Sequence, residues 1–386
     1  MNGPIGVAGA GTMGAGIAQL ACLAGFETLL HDPDRAALER GGEKLRAGLE
    51  REAERGRREA REVERATARL TAVPSPDGLA PCRLVIEAAP EDLGLKRGLF
   101  ARLESVCATD TVLATNTSSL PVTEVAAEAK RPERICGMHF FNPPTRMKLV
   151  ELVAGADTGE PALIAATAVA ERMGRAVIRC TDSPGFIVNR CNRPFALESL
   201  RILEAGIANP AEIDQAIREL GGYPMGPFEL IDLIGVDVNL EVARSFFRQR
   251  PEPRWQPSPL QEEMVADGRL GRKAGRGFYE YDDRGRPTGS TTSELDPALA
   301  KQVLERVVAQ LVNEACFAVE EGVAAPAEID AAMRLGLNHP RGPFEWAREL
   351  GAERAEEILD ALRAGDDQRY RVAPHLRRLA DPGQPS

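Results

Sequence analysis

Residues 5–14 read Ile-Gly-Val-Ala-Gly-Ala-Gly-Thr-Met-Gly, a short apolar strand that runs directly into a glycine-rich turn. A helical pattern follows and stops at Gly25, and a second strand over 27–31 leads into Asp32, 21 positions after Gly11. In such a unit the first glycine permits the tight turn, the second lets the backbone approach a pyrophosphate, and the third lets the helix pack closely on the strand. The stretch therefore predicts a dinucleotide-binding strand–helix–strand unit.

Asp32 indicates which dinucleotide is bound. Its carboxylate can accept hydrogen bonds from a ribose 2′-hydroxyl and would repel a 2′-phosphate, which favours NAD over NADP. The turn residues expected to bind the cofactor are Gly9, Gly11, Thr12, Met13 and Gly14. A glycine turn without a ligand is the alternative, and the surrounding strand, helix and acid argue against it.

Strands and helices alternate through the first 182 residues, and this alternation predicts an α/β domain. Strands are predicted at 70–73, 84–89 and 112–116, and helices at 34–68 and 92–107. We expect a Rossmann-type, doubly wound parallel sheet that is covered on both faces and binds ligands beyond the carboxyl ends of its strands. Two polar groups stand at such ends: Ala89-Pro90-Glu91 with Lys96 downstream, and Asn116-Thr117-Ser118-Ser119.

His139 and Glu151 form a candidate base and its partner. A strand over 134–139 ends at the histidine, a Pro-Pro turn follows, and the glutamate lies in the next strand, 149–153. A neutral imidazole accepts a proton readily, and a carboxylate on its other nitrogen fixes the tautomer and stabilises the imidazolium. A structural histidine beside a surface glutamate is the alternative for an isolated pair, and the nearby dinucleotide signals favour catalysis.

The chain also resembles a known family, the L-3-hydroxyacyl-CoA dehydrogenases, which are NAD-dependent. The matching motifs occur in family order over residues 1 to about 281: 9–14 Gly-Ala-Gly-Thr-Met-Gly, 116–120 Asn-Thr-Ser-Ser-Leu, 139–143 His-Phe-Phe-Asn-Pro, 148–152 Lys-Leu-Val-Glu-Leu, 182–190 Asp-Ser-Pro-Gly-Phe-Ile-Val-Asn-Arg, 222–230 Gly-Tyr-Pro-Met-Gly-Pro-Phe-Glu-Leu and 271–279 Gly-Arg-Lys-Ala-Gly-Arg-Gly-Phe-Tyr. The resemblance implies oxidation of the 3-hydroxyl of an acyl-CoA substrate.

The resemblance also implies roles for single residues. It makes His139 the catalytic base and Glu151 its partner, while Ser118 hydrogen-bonds the 3-oxygen of the substrate. Asn189 would complete the substrate site, from a helix that we expect to begin with Ser183 as cap and Pro184 as its first residue. An interhelical hydrogen bond is the alternative role for this amide. Further NAD contacts are implied for Asp32, Glu91, Lys96 and Asn116.

The second half of the chain changes to helical patterns and contains an internal repeat. Pro-Ala-Glu-Ile-Asp occurs at 210–214 and 326–330, and Gly-Pro-Phe-Glu at 226–229 and 342–345, both with an offset of 116 residues. This predicts an all-α region of two copies, 183–281 and 296–370, joined by a linker at 282–295. The offset carries Asn189 onto Glu305, so we expect the first copy to serve the active site and the second to be structural.

Oligomeric state stays open between two interpretations. The chain could form a homodimer, or it could be a monomer whose second helical copy takes the place that a partner subunit's helical domain has in single-copy relatives.

Composition excludes several functional classes. The net charge of −10 gives no overall basic surface for nucleic acid, and no apolar run is long enough to span a membrane. Seven cysteines without a Cys-x-x-Cys pair predict neither a metal site nor a disulfide framework, which fits a cytoplasmic enzyme. The excess of arginine over lysine is compatible with a bacterial source.

An arginine-rich stretch at 51–61 is interleaved with glutamates. We interpret it as a solvated face or, alternatively, as a contact for the phosphates of coenzyme A.

Two other functions remain from the sequence alone. A related dehydrogenase of a free hydroxy acid or sugar acid would share the His–Glu–Asn arrangement. A non-catalytic NAD-binding protein is the third possibility, although the presence of all four site residues argues against it.

Overall fold

A computed structural model describes residues 3–289, 295–366 and 368–381. The chain divides into two compact units, residues 1–186 and 187–386. Of the predicted linker 282–295, residues 290–294 lie outside the described residues. In the part before them, Asp282 and Arg286 close a turn through reciprocal backbone and side-chain hydrogen bonds.

The first unit is built around an eight-stranded sheet with the order β3-β2-β1-β4-β5-β6-β7-β8. Its strands are β1 (Ile5–Ala8), β2 (Thr28–His31), β3 (Leu70–Val73), β4 (Leu84–Glu87), β5 (Val112–Thr115), β6 (Ile135–Phe140), β7 (Leu149–Ala154) and β8 (Ala176–Thr181). Its helices are α1 (Thr12–Leu23), α2 (Arg35–Glu54), α3 (Ala60–Ala68), α4 (Leu93–Val106), α5 (Val122–Ala126) and α6 (Glu160–Arg172). Neighbouring strands are parallel except β6 and β7, which pair antiparallel.

Helices cover both faces of this sheet, as the alternating pattern predicts. On one face a buried cluster includes Ile17 of α1, Leu45 of α2 and Val169 of α6. On the other face Phe100 of α4 and Val125 of α5 belong to a second cluster. The central strands β1, β4 and β5 are buried along their whole length, which explains their nearly continuous apolar sequences. The predicted α/β, Rossmann-type fold is therefore confirmed.

Two helix predictions in this region are wrong. The predicted helix 34–68 is two helices, because the chain turns at Gly56, where φ is +66°, and Glu59 then caps α3. The helix expected to begin at Pro184 instead begins at Val188. Gly185 and Phe186 have φ values of +71° and +54°, which a right-handed helix excludes, so residues 184–187 form turns.

The second unit is helical in the part that the structure describes, in agreement with the predicted all-α region. Its helices are α7 (Val188–Cys191), α8 (Arg193–Glu204), α9 (Pro210–Glu219), α10 (Pro227–Ile234), α11 (Val236–Gln249), α12 (Pro259–Ala266), α13 (Pro297–Glu320), α14 (Pro326–Leu337), α15 (Pro343–Leu350), α16 (Ala352–Arg363) and α17 (Pro374–Ala380). Among residues 3–289, 295–366 and 368–381, no helix combines the length and apolarity needed to cross a membrane.

The 116-residue offset of the sequence repeat extends to local structure. Asp214 accepts a hydrogen bond from the Phe228 amide at the start of α10, and Asp330 accepts the equivalent bond from Phe344 at the start of α15. One difference is that α13 runs uninterrupted where the first copy has two helices, α7 and α8. Pro194 has no amide hydrogen to continue the first-copy helix, and Gln310 stands at its place in α13.

The two copies also contact each other reciprocally. Arg190 of the first copy pairs with Glu314 of the second at 2.9 Å, and Arg306 of the second pairs with Glu198 of the first at 2.5 Å. The offset of 116 residues relates Arg190 to Arg306, and it also relates Glu198 to Glu314. Reciprocal contacts of this kind are the signature of a two-fold interface, so the copies pack as a pseudosymmetric pair within one chain.

Candidate active site

Of the three glycines in the glycine turn, only Gly11 leaves room for a ligand. A Cβ on Gly9, where φ is +111°, would collide with the Ala88 carbonyl oxygen, and one on Gly14 would collide with the Gly9 carbonyl oxygen. Beside Gly11 the space is open within 4 Å. Two glycines therefore allow tight packing of the turn, and the third leaves its backbone accessible at the beginning of α1, where helix amides attract phosphate.

A cavity of about 700 Å³ opens at this turn. Five residues predicted to bind the cofactor line it: Gly9, Gly11, Thr12, Met13 and Asp32. Ala37, Pro76, Leu95 and Leu99 add an apolar wall of the kind that suits an adenine ring. The predicted residue Gly14 is buried under the turn and is absent from this lining.

Asp32 is itself held in place by the turn. Its Oδ2 accepts the Ala10 amide at 2.8 Å and its Oδ1 accepts the Asp34 amide at 3.0 Å. A carboxylate offers about four acceptor positions, so further capacity remains for a ribose hydroxyl. The residues present therefore fit the adenosine and pyrophosphate parts of NAD.

His139 and Glu151 face each other across the antiparallel pair β6–β7. The register places them opposite one another, and His139 Nδ1 lies 2.7 Å from Glu151 Oε2. The histidine is 5% exposed and the glutamate is fully buried. Because a carboxylate only accepts hydrogen bonds, the neutral ring carries its proton on Nδ1 and presents Nε2 as a proton acceptor. The predicted juxtaposition thus has the geometry of a base and its orienting partner.

Two aromatic side chains pack against this imidazole. The Phe141 ring centroid lies 4.5 Å from that of His139, and the Phe186 centroid lies 5.7 Å away. Neither contact was predicted, although Phe141 stands in the quoted motif 139–143 and Phe186 in the quoted motif 182–190. The Phe186 backbone has a positive φ and the Phe186 side chain is buried. No local sequence pattern predicts this combination.

Glu91 organises the loop that carries Ser118. Its Oε1 accepts the backbone amides of Ser118 and Ser119, both at 3.0 Å, and the Thr117 hydroxyl at 2.6 Å. Burial alone would raise the pKa of this carboxyl, but the Lys96 charge and the loop hydrogen bonds outweigh burial and lower the pKa below its usual value. Ser118 itself lies exposed on this loop. The two strand-end groups are therefore joined through one carboxylate.

Lys96 belongs to a buried network that was not predicted. Its side chain is 1% exposed, and its ammonium nitrogen lies 2.7 Å from Glu87 Oε1 and 3.3 Å from Glu91 Oε2. Glu87 also accepts the Ala89 amide at 2.6 Å and the Thr115 hydroxyl at 2.6 Å. One sequence feature could have indicated this network: the acidic residue Glu87 ends the otherwise apolar strand Leu-Val-Ile-Glu. An NAD contact of Lys96 stays a prediction beside this ion pair.

Asn116 connects the ends of two strands. It follows β5, and its Oδ1 accepts the backbone amide of Phe140 at 2.8 Å, next to His139. This bond fixes the end of β6 relative to the Ser118 loop. An NAD contact of the amide stays a prediction.

Asn189 lies in the second unit, in the first turn of α7, and is partly exposed. The turn before α7 sets its position, in place of the predicted cap by Ser183.

In the arginine-rich stretch at 51–61, Arg57 pairs with Glu52 at 3.2 Å and Arg58 lies 3.9 Å from Glu62. These ion pairs fit the interpretation of the stretch as a solvated face.

Comparisons with known proteins agree with these features. The family model described as 3-hydroxyacyl-CoA dehydrogenase, NAD binding domain, matches residues 4–183, and the model of the C-terminal domain of the same enzymes matches 185–281 and 303–386. The chain is 37% identical to 3-hydroxyadipyl-CoA dehydrogenase of Escherichia coli K12, with 97% of each chain covered. It is 40% identical to a probable 3-hydroxybutyryl-CoA dehydrogenase of Bacillus subtilis over 72% of this chain and 97% of that one.

Solved structures give the same result. A crystal structure of 3-hydroxybutyryl-CoA dehydrogenase from E. coli K12 has a TM-score of 0.91 at 36% identity, with 98% of both chains covered. The corresponding enzyme of Ralstonia eutropha has a TM-score of 0.71 at 37% identity and covers 72% of this chain and 99% of its own. The glycine turn fits NAD, and both family models account for nearly the whole chain. The protein therefore belongs to the 3-hydroxyacyl-CoA dehydrogenase family and is an NAD-dependent oxidoreductase.

Proposed function

We propose that the protein reversibly oxidises the 3-hydroxyl group of an L-3-hydroxyacyl-CoA to a 3-oxoacyl-CoA, with His139 as general base. The observation that carries this proposal is the buried pair of His139 Nδ1 and Glu151 Oε2 at 2.7 Å. Oxidation of a secondary alcohol needs a group that accepts the hydroxyl proton, and Nε2 of this imidazole is suited to that step. Bound NAD supplies the acceptor for the hydride.

Glu151 stabilises the charge that forms on the histidine. When Nε2 takes a proton, the ring becomes an imidazolium, and a buried carboxylate at hydrogen-bond distance stabilises that cation. In the reverse direction the same imidazolium returns the proton to the substrate oxygen. One base therefore serves both directions.

Ser118 and Asn189 are proposed to bind the substrate. The Ser118 hydroxyl would orient the 3-oxygen as it gains carbonyl character, and the loop that carries it is held by Glu91. The Asn189 amide would complete the substrate site from the first helical copy. Asp32, Glu91, Lys96 and Asn116 are proposed to bind NAD together with the glycine turn.

The substrate class is proposed from two kinds of support. The Phe-Phe after His139 and the Tyr-Pro-Met-Gly-Pro-Phe motif resemble the acyl-CoA branch of these dehydrogenases. The relatives reported above are named as dehydrogenases of 3-hydroxybutyryl-CoA and 3-hydroxyadipyl-CoA. The acyl chain of 3-hydroxybutyryl-CoA is short, and the acyl group of 3-hydroxyadipyl-CoA carries a second carboxylate.

We propose that the second helical copy takes the place of a partner subunit. The reciprocal pairs of Arg190 with Glu314 and of Arg306 with Glu198 support this, because they reproduce a two-fold interface within one chain.

A substrate panel tests the proposed reaction. NADH oxidation is followed by absorbance with acetoacetyl-CoA, 3-oxoadipyl-CoA, longer 3-oxoacyl-CoAs and free acetoacetate. We expect turnover of at least one thioester and a far lower kcat/KM with the free acid. Equal or better turnover of the free acid would contradict the acyl-CoA assignment.

A further inference from the structure

The short helix that carries Asn189 is interrupted on its carboxyl side. Helix α7 ends at Cys191, and α8 begins at Arg193. Pro194 cannot donate the hydrogen bond that would continue the helix to the Arg190 carbonyl, and its ring disfavours helical geometry there. The continuity of α8 therefore does not by itself fix the orientation of α7.

Arg190, the neighbour of Asn189, ties α7 to the second copy. Its guanidinium is fully buried, with Nε 2.9 Å from Glu314 Oε1 and Nη1 3.0 Å from Glu321 Oε2. Glu314 lies on α13 and Glu321 caps the carboxyl end of that helix. The two acids are about two helical turns apart and thus lie on one side of it. Successive residues of a helix point about 100° apart, so the direction in which Arg190 is held limits the direction in which Asn189 can point.

Glu314 is well placed to hold Arg190 rigidly. It is 2% exposed, and its second oxygen accepts Arg254 Nε at 2.8 Å and Trp255 Nε1 at 3.0 Å. Both carboxylate oxygens are therefore bound by groups of the first copy. A charge-assisted network of this kind has one geometry and resists displacement.

We propose that Glu314 of the second copy is a positioning residue for the reaction: through Arg190 it fixes the orientation of Asn189. The second copy thus contributes to catalysis without touching the substrate, which goes beyond the structural part assigned to it above. The inference rests on the proposed role of Asn189 in the substrate site.

The pseudosymmetric pair offers a matched control. Glu198 is fully buried and accepts Arg306 Nε at 2.5 Å, Arg201 Nη1 at 3.0 Å and the Tyr370 hydroxyl at 3.2 Å. Arg306 follows Glu305, which stands at the position equivalent to Asn189. Loss of the Glu198 charge disturbs the same kind of network at a place where no substrate amide exists.

The test compares Glu314→Gln with Glu198→Gln in the full-length protein. Acetoacetyl-CoA and NADH serve as substrates, and each variant is assayed well below its own unfolding temperature. We expect Glu314→Gln to lower kcat/KM for the thioester about ten-fold with an unchanged KM for NADH, since small misplacements of a substrate-binding group have large effects. Glu198→Gln should stay within two-fold of the wild-type kinetics. Equal kinetics of the two variants would overturn the proposal.

A double variant separates positioning from general damage. If Glu314 acts through Asn189, Glu314→Gln should change kcat/KM less than two-fold in an Asn189→Ala background. A full ten-fold loss in that background overturns the positioning role. Wild-type activity of Asn189→Ala alone overturns instead the assignment on which the inference rests. Should Glu314→Gln fail to fold, Arg190→Lys replaces it, with Arg306→Lys as its control, since lysine keeps the charge but loses the planar fork.

Discussion

Replacing Glu151 by glutamine isolates the contribution of a single buried charge. The shape of the side chain and one acceptor oxygen are kept, but the imidazolium of His139 loses its counter-charge. With charge centres about 4 Å apart, the attraction is about 4 kcal/mol at an effective dielectric constant near 20. The remaining neutral hydrogen bond recovers about 1 kcal/mol. The net loss of about 3 kcal/mol corresponds to a fall in kcat of roughly 10²-fold.

Steady-state kinetics in the direction of NAD reduction, with an L-3-hydroxyacyl-CoA as substrate, measure this effect, because the imidazolium forms as the alcohol is oxidised. KM for NAD should not change, because Glu151 is not among the residues that line the cavity at the glycine turn. Thermal stability should change little, because glutamine keeps the shape of the side chain and an acceptor oxygen for the hydrogen bond to His139 Nδ1.

Glu104 provides the control for loss of a buried carboxylate. Its side chain is 7% exposed and lies 3.5 Å from the Arg134 guanidinium, which is 8% exposed. Glu104→Gln should therefore lower stability and leave kcat unchanged, the opposite of Glu151→Gln. A kcat of Glu151→Gln within three-fold of wild type would refute the reasoning.

Four further predictions concern other parts of the chain. His139→Gln should lower kcat by ~10²–10⁴-fold while NADH binding, followed by fluorescence titration, stays unchanged; retained kcat would remove the histidine as base. Asp32→Ala should weaken NADH binding roughly ten-fold or more, for the loss of a charged hydrogen-bond acceptor, and an unaltered Kd would exclude the ribose contact. Burial lowers the pKa of His339 to about 4, so between pH 6.5 and 4 the unfolded chain binds a proton that the folded chain does not. Protonation of this one residue in the unfolded chain should therefore lower the free energy of unfolding by about 2 kcal/mol from pH 7 to pH 5. In urea titrations, the free energy of unfolding of His339→Gln should fall by correspondingly less over the same pH range. Truncation after residue 289 should lower the unfolding temperature and cause self-association through the uncovered face of the first copy; a shortened protein with unchanged stability and oligomeric state would contradict the role proposed for the second copy.

The sequence alone predicted the features that depend on short spacings. The glycine turn and Asp32 form one local unit, and His139 and Glu151 are joined by a single turn between adjacent strands. In both cases the chain needs few residues to bring the groups together, so residue type and spacing are sufficient. The repeat was equally accessible because its offset is constant.

Features that depend on distant segments were not predictable in this way. The buried network of Glu87 and Lys96 depends on how the end of β4 faces α4 and β5. The start of α7 at Val188 depends on the positive φ of Phe186, a conformation that phenylalanine rarely adopts. Ser183 followed by Pro184 looked like a helix start, yet tertiary contacts determined the backbone there. Helix α6 and strand β8 follow the segment that contains His139 and Glu151, and neither was predicted separately.

The reciprocal ion pairs between the helical copies have a consequence for how the enzyme responds to dilution. Two separate subunits dissociate when their concentration falls below the dissociation constant. Two domains of one chain stay together, because the covalent link keeps each at an effective concentration in the millimolar range relative to the other. On the proposal that the second copy replaces a partner subunit, we expect specific activity to be constant down to the lowest enzyme concentration that an assay can detect.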